Sequence, residues 1–266
     1  MIIIFSTMKR FHLYIFLFIV AFVACEQDQP TRGTTVWKED STERLNIDIQ
    51  GLPVLKLVNY RGGMILNGTF AKDHIRASVT RQVETLERDR LATMLEEIEF
   101  QVTSTSDTLF ALVTTPPADR DEYYGCSLNM DIPYGMPVVV EYSNTIVIAS
   151  ELDSTVLVRN AQQKVLLSRH QGSAEIYAKG DIAMDVNLPR KGFIIAETDS
   201  GNIDLLLPAS AHATILAESF YQPIRLINIE LDTDVRRFHT ASGVLGDGSG
   251  EVRLKTIYGR IRLKTE

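Results

Sequence analysis

The sequence predicts an all-β protein, a repetitive single-stranded right-handed β-solenoid with one short capping helix. Two observations favour this class. LNMDIPYGMPVVVEY (128–142) and IDLLLPASAHATILA (203–217) share one layout, and their prolines, Pro133 and Pro208, are 75 residues apart. In addition, GEVRLKT (250–256) is followed nine residues later by GRIRLKT (259–265). Internal similarity of this kind is typical of repeat architectures, in which each unit stacks on its neighbours.

The repetitive body is predicted over residues 128–266. Its short alternating apolar runs are broken by Gly, Asn, Asp or Ser, which indicates strands joined by corners. Three runs would make a coil of about 25 residues, so that the 75-residue offset would correspond to about three coils. An antiparallel β-sandwich of the same strands is the alternative.

The first segment has the features of an export signal. Lys9 and Arg10 precede a mainly apolar run that ends at Cys25 and is shorter than the roughly 18–20 residues of a spanning helix. Residues 22–25 (FVAC) are similar to a lipobox, although Phe22 stands where Leu is usual. The sequence therefore predicts a lipoprotein signal peptide over 1–24, starting at Met1 or Met8, and lipidation (a diacylglyceryl group and palmitate-type acyl chain) at Cys25. An ordinary cleaved signal is the alternative.

The remaining boundaries follow from composition. Residues 25–44 are polar and predict a flexible tether, in which Trp37 could dock on the body or lie at the lipid interface. Residues 45–127 are predicted to hold N-terminal strands and the capping helix, and 45–266 to form one continuous domain.

Within 45–127, alternating runs predict strands at 45–49, 54–59, 64–70 and 74–83. Apolar residues from Val83 to Ile98 follow helical spacing, which predicts a helix that covers the open end of the β stack. Residues 98–117 predict a hairpin.

Charge and cysteine content exclude several classes. The formal net charge is −7 for the chain and becomes −9 without Lys9 and Arg10, so a nucleic-acid partner is not expected. Cys126 is the one cysteine after Cys25 and has no intramolecular disulfide partner in the body, which favours a buried apolar role.

No motif for catalysis, a metal or a cofactor stands out, and the protein is predicted not to be an enzyme. Residues 119–125 form an acidic loop, in which Asp119, Asp121 and Gly125 only half fit a calcium loop. The alternative function is a polysaccharide-processing lyase or hydrolase, which would use paired acids. The residues considered for these roles are the acid pairs Asp181/Asp185 and Asp232/Asp234, the histidines His74, His170, His212 and His239, and, for a sugar-binding row, Tyr134, Tyr142 and Tyr177.

Three stretches carry a family resemblance: ETDSGNIDLLLP (197–208), GDGSGEVRLKT (246–256) and GRIRLKT (259–265). With them, residues 45–266 resemble the adhesin-like β-solenoid domains of bacterial envelope proteins, a family without a settled activity. The resemblance implies a non-enzymatic module without a cofactor that binds an envelope protein or glycan. With the Cys25 anchor, it implies attachment to the cell envelope, most simply to the outer membrane, with the body in the periplasm or at the cell surface.

Overall fold

The computed structural model describes residues 35–49, 51 and 53–266, and the side chains of all of these except 233–236. Residues 36–266 form one compact unit. Its elements are β1 (Trp37–Asp48), β2 (Val54–Asn59), β3 (Met64–Thr69), β4 (His74–Thr85), a 3-10 turn (Arg88–Arg90), α1 (Leu91–Glu96), β5 (Glu99–Ser104), β6 (Thr108–Thr114), β7 (Glu122–Pro133), β8 (Val138–Ser143), β9 (Val147–Ser150), β10 (Val156–Ala161), β11 (Val165–His170), β12 (Ala174–Ala178), β13 (Ile182–Val186), β14 (Phe193–Thr198), β15 (Ile203–Leu207), β16 (Ala213–Ser219), β17 (Ile224–Ile227), β18 (Asp232–Arg237), β19 (Thr240–Leu245), β20 (Gly250–Thr256) and β21 (Ile261–Thr265).

The prediction of an all-β protein is confirmed, and the strands form two mixed sheets. Sheet A has ten strands in the order β1-β4-β7-β3-β9-β11-β13-β15-β21-β17. Sheet B has eleven strands in the order β18-β19-β16-β20-β14-β12-β10-β8-β2-β6-β5. Buried side chains of both sheets belong to one hydrophobic core. This layering is that of a sandwich.

The chain passes between the sheets strand by strand from β8 to β15. Even-numbered strands pair in parallel in sheet B and odd-numbered strands pair in parallel in sheet A. The pairing in this central part is therefore parallel, unlike the antiparallel sandwich that was the alternative.

The predicted repeat length is wrong. Val138, Val156 and Ala174 are ladder partners 18 residues apart. One turn therefore contains two strands, whereas the sequence predicted three strands and about 25 residues. The 75-residue offset between Pro133 and Pro208 thus corresponds to four turns, from β8 to β16. Two strands suffice because the sheets lie face to face, and inward side chains from both fill a core about 10 Å thick.

Alternation along each strand builds that core. In β15 the side chains of Ile203, Leu205 and Leu207 are buried, while Asp204 and Leu206 lie on the outer face. Burial of such a side chain contributes roughly 1.5–3 kcal/mol. Inward residues of this kind recur in every central strand, so the core is continuous along the stack.

The N-terminal end differs from the predicted boundaries. β1 begins at Trp37, so residues 37–44 of the predicted tether are an edge strand paired antiparallel with β4. The guanidinium of Arg88 lies 4.9 Å from the Trp37 ring centroid, which places this ring on the body. The predicted signal (1–24), the lipidation site Cys25 and residues 26–34 of the tether lie outside the described residues.

The predicted helix is much shorter in the structure. Val83 pairs with Glu39 and Tyr124 within sheet A, so the β ladder takes the first part of the helical pattern. Only the 3-10 turn and the six residues of α1 are helical, with Leu91 and Met94 buried. α1 contacts β1 and β4 at one end of the stack, as a capping helix would. The predicted hairpin is confirmed as the antiparallel pair β5–β6.

The last turn of the chain is inserted between two earlier turns. β20 lies between β14 and β16, and β21 lies between β15 and β17, with parallel pairing throughout. GEVRLKT and GRIRLKT are the two strands of this turn, one in each sheet. In the described part of the chain, no helix is long and apolar enough to cross a membrane.

Candidate functional site

A repeated polar corner forms the edge at which the chain leaves sheet B for sheet A. At one such corner, the Thr198 hydroxyl accepts a hydrogen bond from Gly201 N (3.1 Å) and donates one to Gly180 O (2.8 Å). Thr256 makes the same pair of bonds, with Gly259 N (3.1 Å) and Gly201 O (2.9 Å). Because each hydroxyl both donates and accepts, it closes its own corner and binds the backbone of the next one.

Glycines allow these corners to stack closely. A Cβ atom on Gly259 would lie 1.8 Å from Gly201 O, and a Cβ on Gly62 would lie 1.8 Å from Cys126 O. No side chain fits at such a distance, so the corner at Gly259 meets the corner at Gly201 backbone to backbone, and the corner at Gly62 meets the backbone of strand β7 in the same way. Of the two residues between the polar residue and the glycine, at least one is exposed in each corner: Tyr60, Asp199 with Ser200, and Tyr258.

Several of these exposed residues are aromatic. Tyr60 directly follows Asn59, and Tyr258 lies two residues after Thr256. Each of the two tyrosines is more than half exposed. Tyr258 stacks on Tyr221 of the adjacent corner, with ring centroids 5.2 Å apart and planes at 2°. Tyr60 packs against Tyr142, with centroids 4.9 Å apart.

A groove lies between the two aromatic pairs. Arg159, Tyr177, Lys179, Glu197, Asp199 and Lys255 line it. Tyr177 lies opposite Glu197, and Glu197 lies opposite Lys255, on successive strands of sheet B. We call this surface the tyrosine edge and define it by Tyr60, Tyr142, Tyr177, Tyr221 and Tyr258.

The electrostatics of the groove are nearly balanced. Lys255 Nζ lies 3.9 Å from a carboxylate oxygen of Glu197, and Arg159 bonds to Glu141 at 3.0 Å. A hydrogen bond to Glu175, partial burial and nearby carboxylates raise the pKa of Tyr177. The groove thus offers donors, acceptors and the ring of Tyr177 together, which suits binding of a polar ligand.

The tyrosines singled out in the sequence separate between two edges. Tyr142 and Tyr177 lie on the tyrosine edge, on strands β8 and β12, with β10 between them. Tyr134 lies on the opposite edge, where its ring meets Phe70 edge-on at 4.8 Å. Only two of the three predicted aromatics therefore share a surface.

Sequence reasoning missed the corner motif that organises this edge. Its signal is a polar residue followed three positions later by glycine, as in Asn59–Gly62, Thr198–Gly201 and Thr256–Gly259. At least one of the two intervening positions could have been predicted to be exposed, which would have identified Tyr60 and Tyr258 as candidates.

Asp181 and Asp185 do not form a two-carboxylate site, and the other candidate pair lies partly outside the described side chains. Asp181 is held by Asn202, whose backbone N–H donates to its carboxylate at 2.7 Å. Asp185 lies four residues further along, at about 13 Å between Cα atoms, beyond the roughly 9.5 Å at which paired glycosidase carboxyls act. Asp232 begins strand β18, and the side chain of Asp234 lies outside the described part.

The four histidines occupy four separate environments. His74 bonds to Asp73, His212 to the loop at Asp247, and His239 packs on the ring of Phe238. His170 is fully buried, and burial lowers its pKa. Among the described residues, no three His, Cys, Asp or Glu side chains are placed to hold a metal ion.

Cys126 is buried, and burial raises the pKa of its thiol to about 11. The predicted apolar role is therefore consistent with its surroundings.

The acidic loop serves packing. Asp119 and Asp121 are exposed, whereas Glu122 binds Arg90 at 2.6 Å. The buried Tyr124 donates a hydrogen bond to Glu97 at 2.6 Å, and burial raises its pKa. These contacts fasten the 3-10 turn and α1 to strand β7.

The sequence matches no protein-family model and no curated protein. Several solved structures are similar. One from Clostridium sporogenes, provisionally named a cell adhesion protein, has 13% identity and a TM-score of 0.45, and the alignment covers 86% of this chain and 100% of that one. A provisionally named adhesin of Bacteroides fragilis has 11% identity and a TM-score of 0.24, with 85% and 97% covered. A provisionally named lipid-binding protein of Parabacteroides distasonis has 11% identity and a TM-score of 0.26, with 85% and 96% covered. These scores are too low to establish a shared fold, and the family resemblance of the sequence stays a prediction.

Proposed function

We propose that this protein is a lipid-anchored, non-enzymatic binding module of the bacterial cell envelope, built as a right-handed β-solenoid. In this proposal Cys25 carries the lipid and the outer membrane is the site of attachment. The body then stands in the periplasm or at the cell surface and binds an envelope protein or glycan. The alternation of parallel strands between two sheets from β8 to β15 supports the solenoid part of the proposal.

The observation that favours binding over catalysis is that surface carboxylates pair with arginines on several sides of the body. Three ion pairs join neighbouring strands of the stack or the corners that follow them. They are Glu141–Arg159, Glu151–Arg169 and Asp204–Arg262. The first pair lies on sheet B, the second on the opposite edge and the third on sheet A. Acids that neutralise bases on every side form a solvated ionic surface, whereas a glycan-cleaving enzyme needs two carboxyls converging on one bond.

The anchor would hold the body close to the membrane. Cys25 and Trp37, the first residue of β1, are separated by a stretch that reaches at most about 40 Å when extended. Two or more acyl chains hold a protein on a bilayer stably. A binding surface on the body would therefore act within reach of the envelope.

Membrane fractionation tests the proposal. We expect the wild-type protein in the outer-membrane fraction and released only by detergent, and a Cys25→Ser variant in the soluble fraction. Cys126→Ala is the matched control, because it removes the buried cysteine and should leave the membrane association intact. A soluble wild-type protein, or a Cys25→Ser variant that stays in the membrane, would overturn the lipid anchor.

A further inference from the structure

We propose that the tyrosine edge binds an extended neutral glycan, which lies along the stack with its sugar rings against the tyrosine rings. The inference rests on the proposed function as a binding module and names the class of ligand. It is drawn from the spacing, exposure and charge of the residues on this edge.

The spacing of the aromatic rings fits a linear polymer. Tyr142 and Tyr177 are two strands apart in sheet B, and Tyr177 and the corner that carries Tyr258 are again two strands apart. With about 4.8 Å between neighbouring strands, each step is about 10 Å. The full run from Tyr142 to Tyr221 is five strand spacings, or about 24 Å, a length that several consecutive pyranose rings are needed to cover.

The exposure of these rings calls for a ligand. Tyr221 and Tyr258 are 61% and 60% exposed, Phe220 beside them is 63% exposed, and Tyr60 at the other end of the row is 52% exposed. A cluster of exposed aromatic side chains such as Phe220, Tyr221 and Tyr258 marks an interaction site. Tyrosine combines an apolar face with a hydroxyl, as does a pyranose ring, whose axial C–H groups form an apolar face and whose rim carries hydroxyls.

The charge of the groove favours a neutral partner. Three bases (Arg159, Lys179 and Lys255) and two carboxylates (Glu197 and Asp199) line the groove, with the carboxylates between Lys179 and Lys255 in strand order. A polyanion would meet the two carboxylates, and a polycation would meet the three bases. Sugar hydroxyls both donate and accept, so they can bond to the cations and the carboxylates at once.

The outer face of sheet A is the competing surface. It has an apolar groove floored by Leu166, Ala183 and Leu206 and bordered by Arg262 and Lys264. That floor is half-buried aliphatic surface without an aromatic ring. The chemistry of a polyhydroxylated ligand is therefore met at the tyrosine edge.

Titration calorimetry on the full chain in detergent tests the inference. The probes are the β-1,4-linked hexasaccharides of glucose, N-acetylglucosamine and xylose, together with their disaccharides. We expect at least one hexasaccharide to bind, and its disaccharide to bind at least about tenfold more weakly because it covers one tyrosine position. Tyr177→Ala and Tyr258→Ala should each weaken binding about tenfold.

Matched variants keep the result interpretable. Tyr177→Phe and Tyr258→Phe preserve the ring and should bind within about threefold of wild type, which separates loss of a ring from loss of folding. Tyr134→Ala removes a ring from the opposite edge and should bind like wild type. The inference is overturned if none of the three hexasaccharides binds, or if one binds equally well to the wild type, Tyr177→Ala and Tyr258→Ala.

Failure of this inference can be told apart from failure of the proposed function. Absence of glycan binding leaves the fractionation result for Cys25→Ser unchanged. Conversely, chromatography of the hexasaccharide after incubation reports on chemistry. A bound but shortened sugar would overturn the non-enzymatic role, and it would support the tyrosine edge as the site only if Tyr177→Ala and Tyr258→Ala also weaken binding.

Discussion

Thr256 donates a hydrogen bond to the carbonyl of Gly201, 55 residues earlier in the chain, at 2.9 Å. The same hydroxyl accepts a bond from Gly259 N at 3.1 Å. One buried side chain thus closes its own corner and ties the inserted last turn to the turn before it. The stacking of corners, and with it the placement of the tyrosine edge, depends on bonds of this kind.

Replacing Thr256 by valine tests this role. Thr256→Val keeps the shape of the side chain but leaves Gly201 O and Gly259 N without their partner in a buried corner. We expect the free energy of unfolding to fall by about 1–3 kcal/mol in urea denaturation. Thr214→Val is the control, since Thr214 is exposed on the outer face of β16 and should change stability by less than about 0.5 kcal/mol. Equal effects of the two substitutions would contradict the corner bond.

Two adjacent glycines provide a test of the close corner packing. A Cβ on Gly62 would lie 1.8 Å from the Cys126 carbonyl oxygen, whereas a Cβ on Gly63 would lie no nearer than 3.3 Å to Ile146 and Thr145. Gly62→Ala should therefore lower the melting temperature strongly, with a loss of stability at or above about 1–3 kcal/mol, and Gly63→Ala should lower it much less. A reversed order would show that the corner at Gly62 does not pack on the backbone of β7 as described.

The inserted last turn predicts a selective effect of truncation. β17 pairs only with β21 among the described strands, and β16 reaches β14 only through β20. In a chain that lacks residues 250–266, hydrogen exchange should become fast over 213–249 and stay slow over 138–186. A chain that lacks only Glu266 is the control. Exchange in β17 of the truncated chain that stays as slow as in the full chain would contradict the observed strand order.

The thiol of Cys126 predicts a dependence of stability on pH. Burial raises its pKa from 9.0 to about 11, so the folded protein keeps a proton that the unfolded chain releases between these values. This contribution to stability is fully present below pH 9.0 and is lost as the pH rises through about 11. Between about pH 8 and pH 10.5, wild type should lose about 2 kcal/mol more than Cys126→Ala in urea denaturation. Equal losses in the two proteins would show that the thiol is already accessible.

The strand content was predictable because hydrophobic alternation is a local signal. β2, β3 and the β5–β6 hairpin occur where apolar residues alternate in the sequence. The similarity between residues 128–142 and 203–217 also predicted structurally equivalent positions correctly. Pro133 and Pro208 both lie where the chain passes from sheet A toward sheet B.

The turn length and strand order were not predictable from local pattern. A run of seven to nine residues does not show whether two or three such runs close a turn, because that depends on how the sheets face each other. The insertion of β20 between β14 and β16 is a long-range pairing, and the sequence repeat marks β20 and β21 only as similar strands. The end of β4 shows the same effect, since ladder pairing at Val83 overrides a helical spacing.

The candidate site was predictable only in part. Tyr142 and Tyr177 could be named as aromatic candidates, but their shared edge depends on turn length. With turns of 18 residues, the two strands that carry them lie two steps apart in one sheet. With turns of about 25 residues, they would have been placed on different surfaces.

Mass spectrometry of the N-terminal peptide, from protein extracted from membranes, tests the central claim of a tethered envelope module most directly. We predict a peptide that begins at Cys25 and carries the mass of a diacylglyceryl group with its acyl chains. A mature peptide that begins at another residue, or that contains an unmodified Cys25, would contradict the claim.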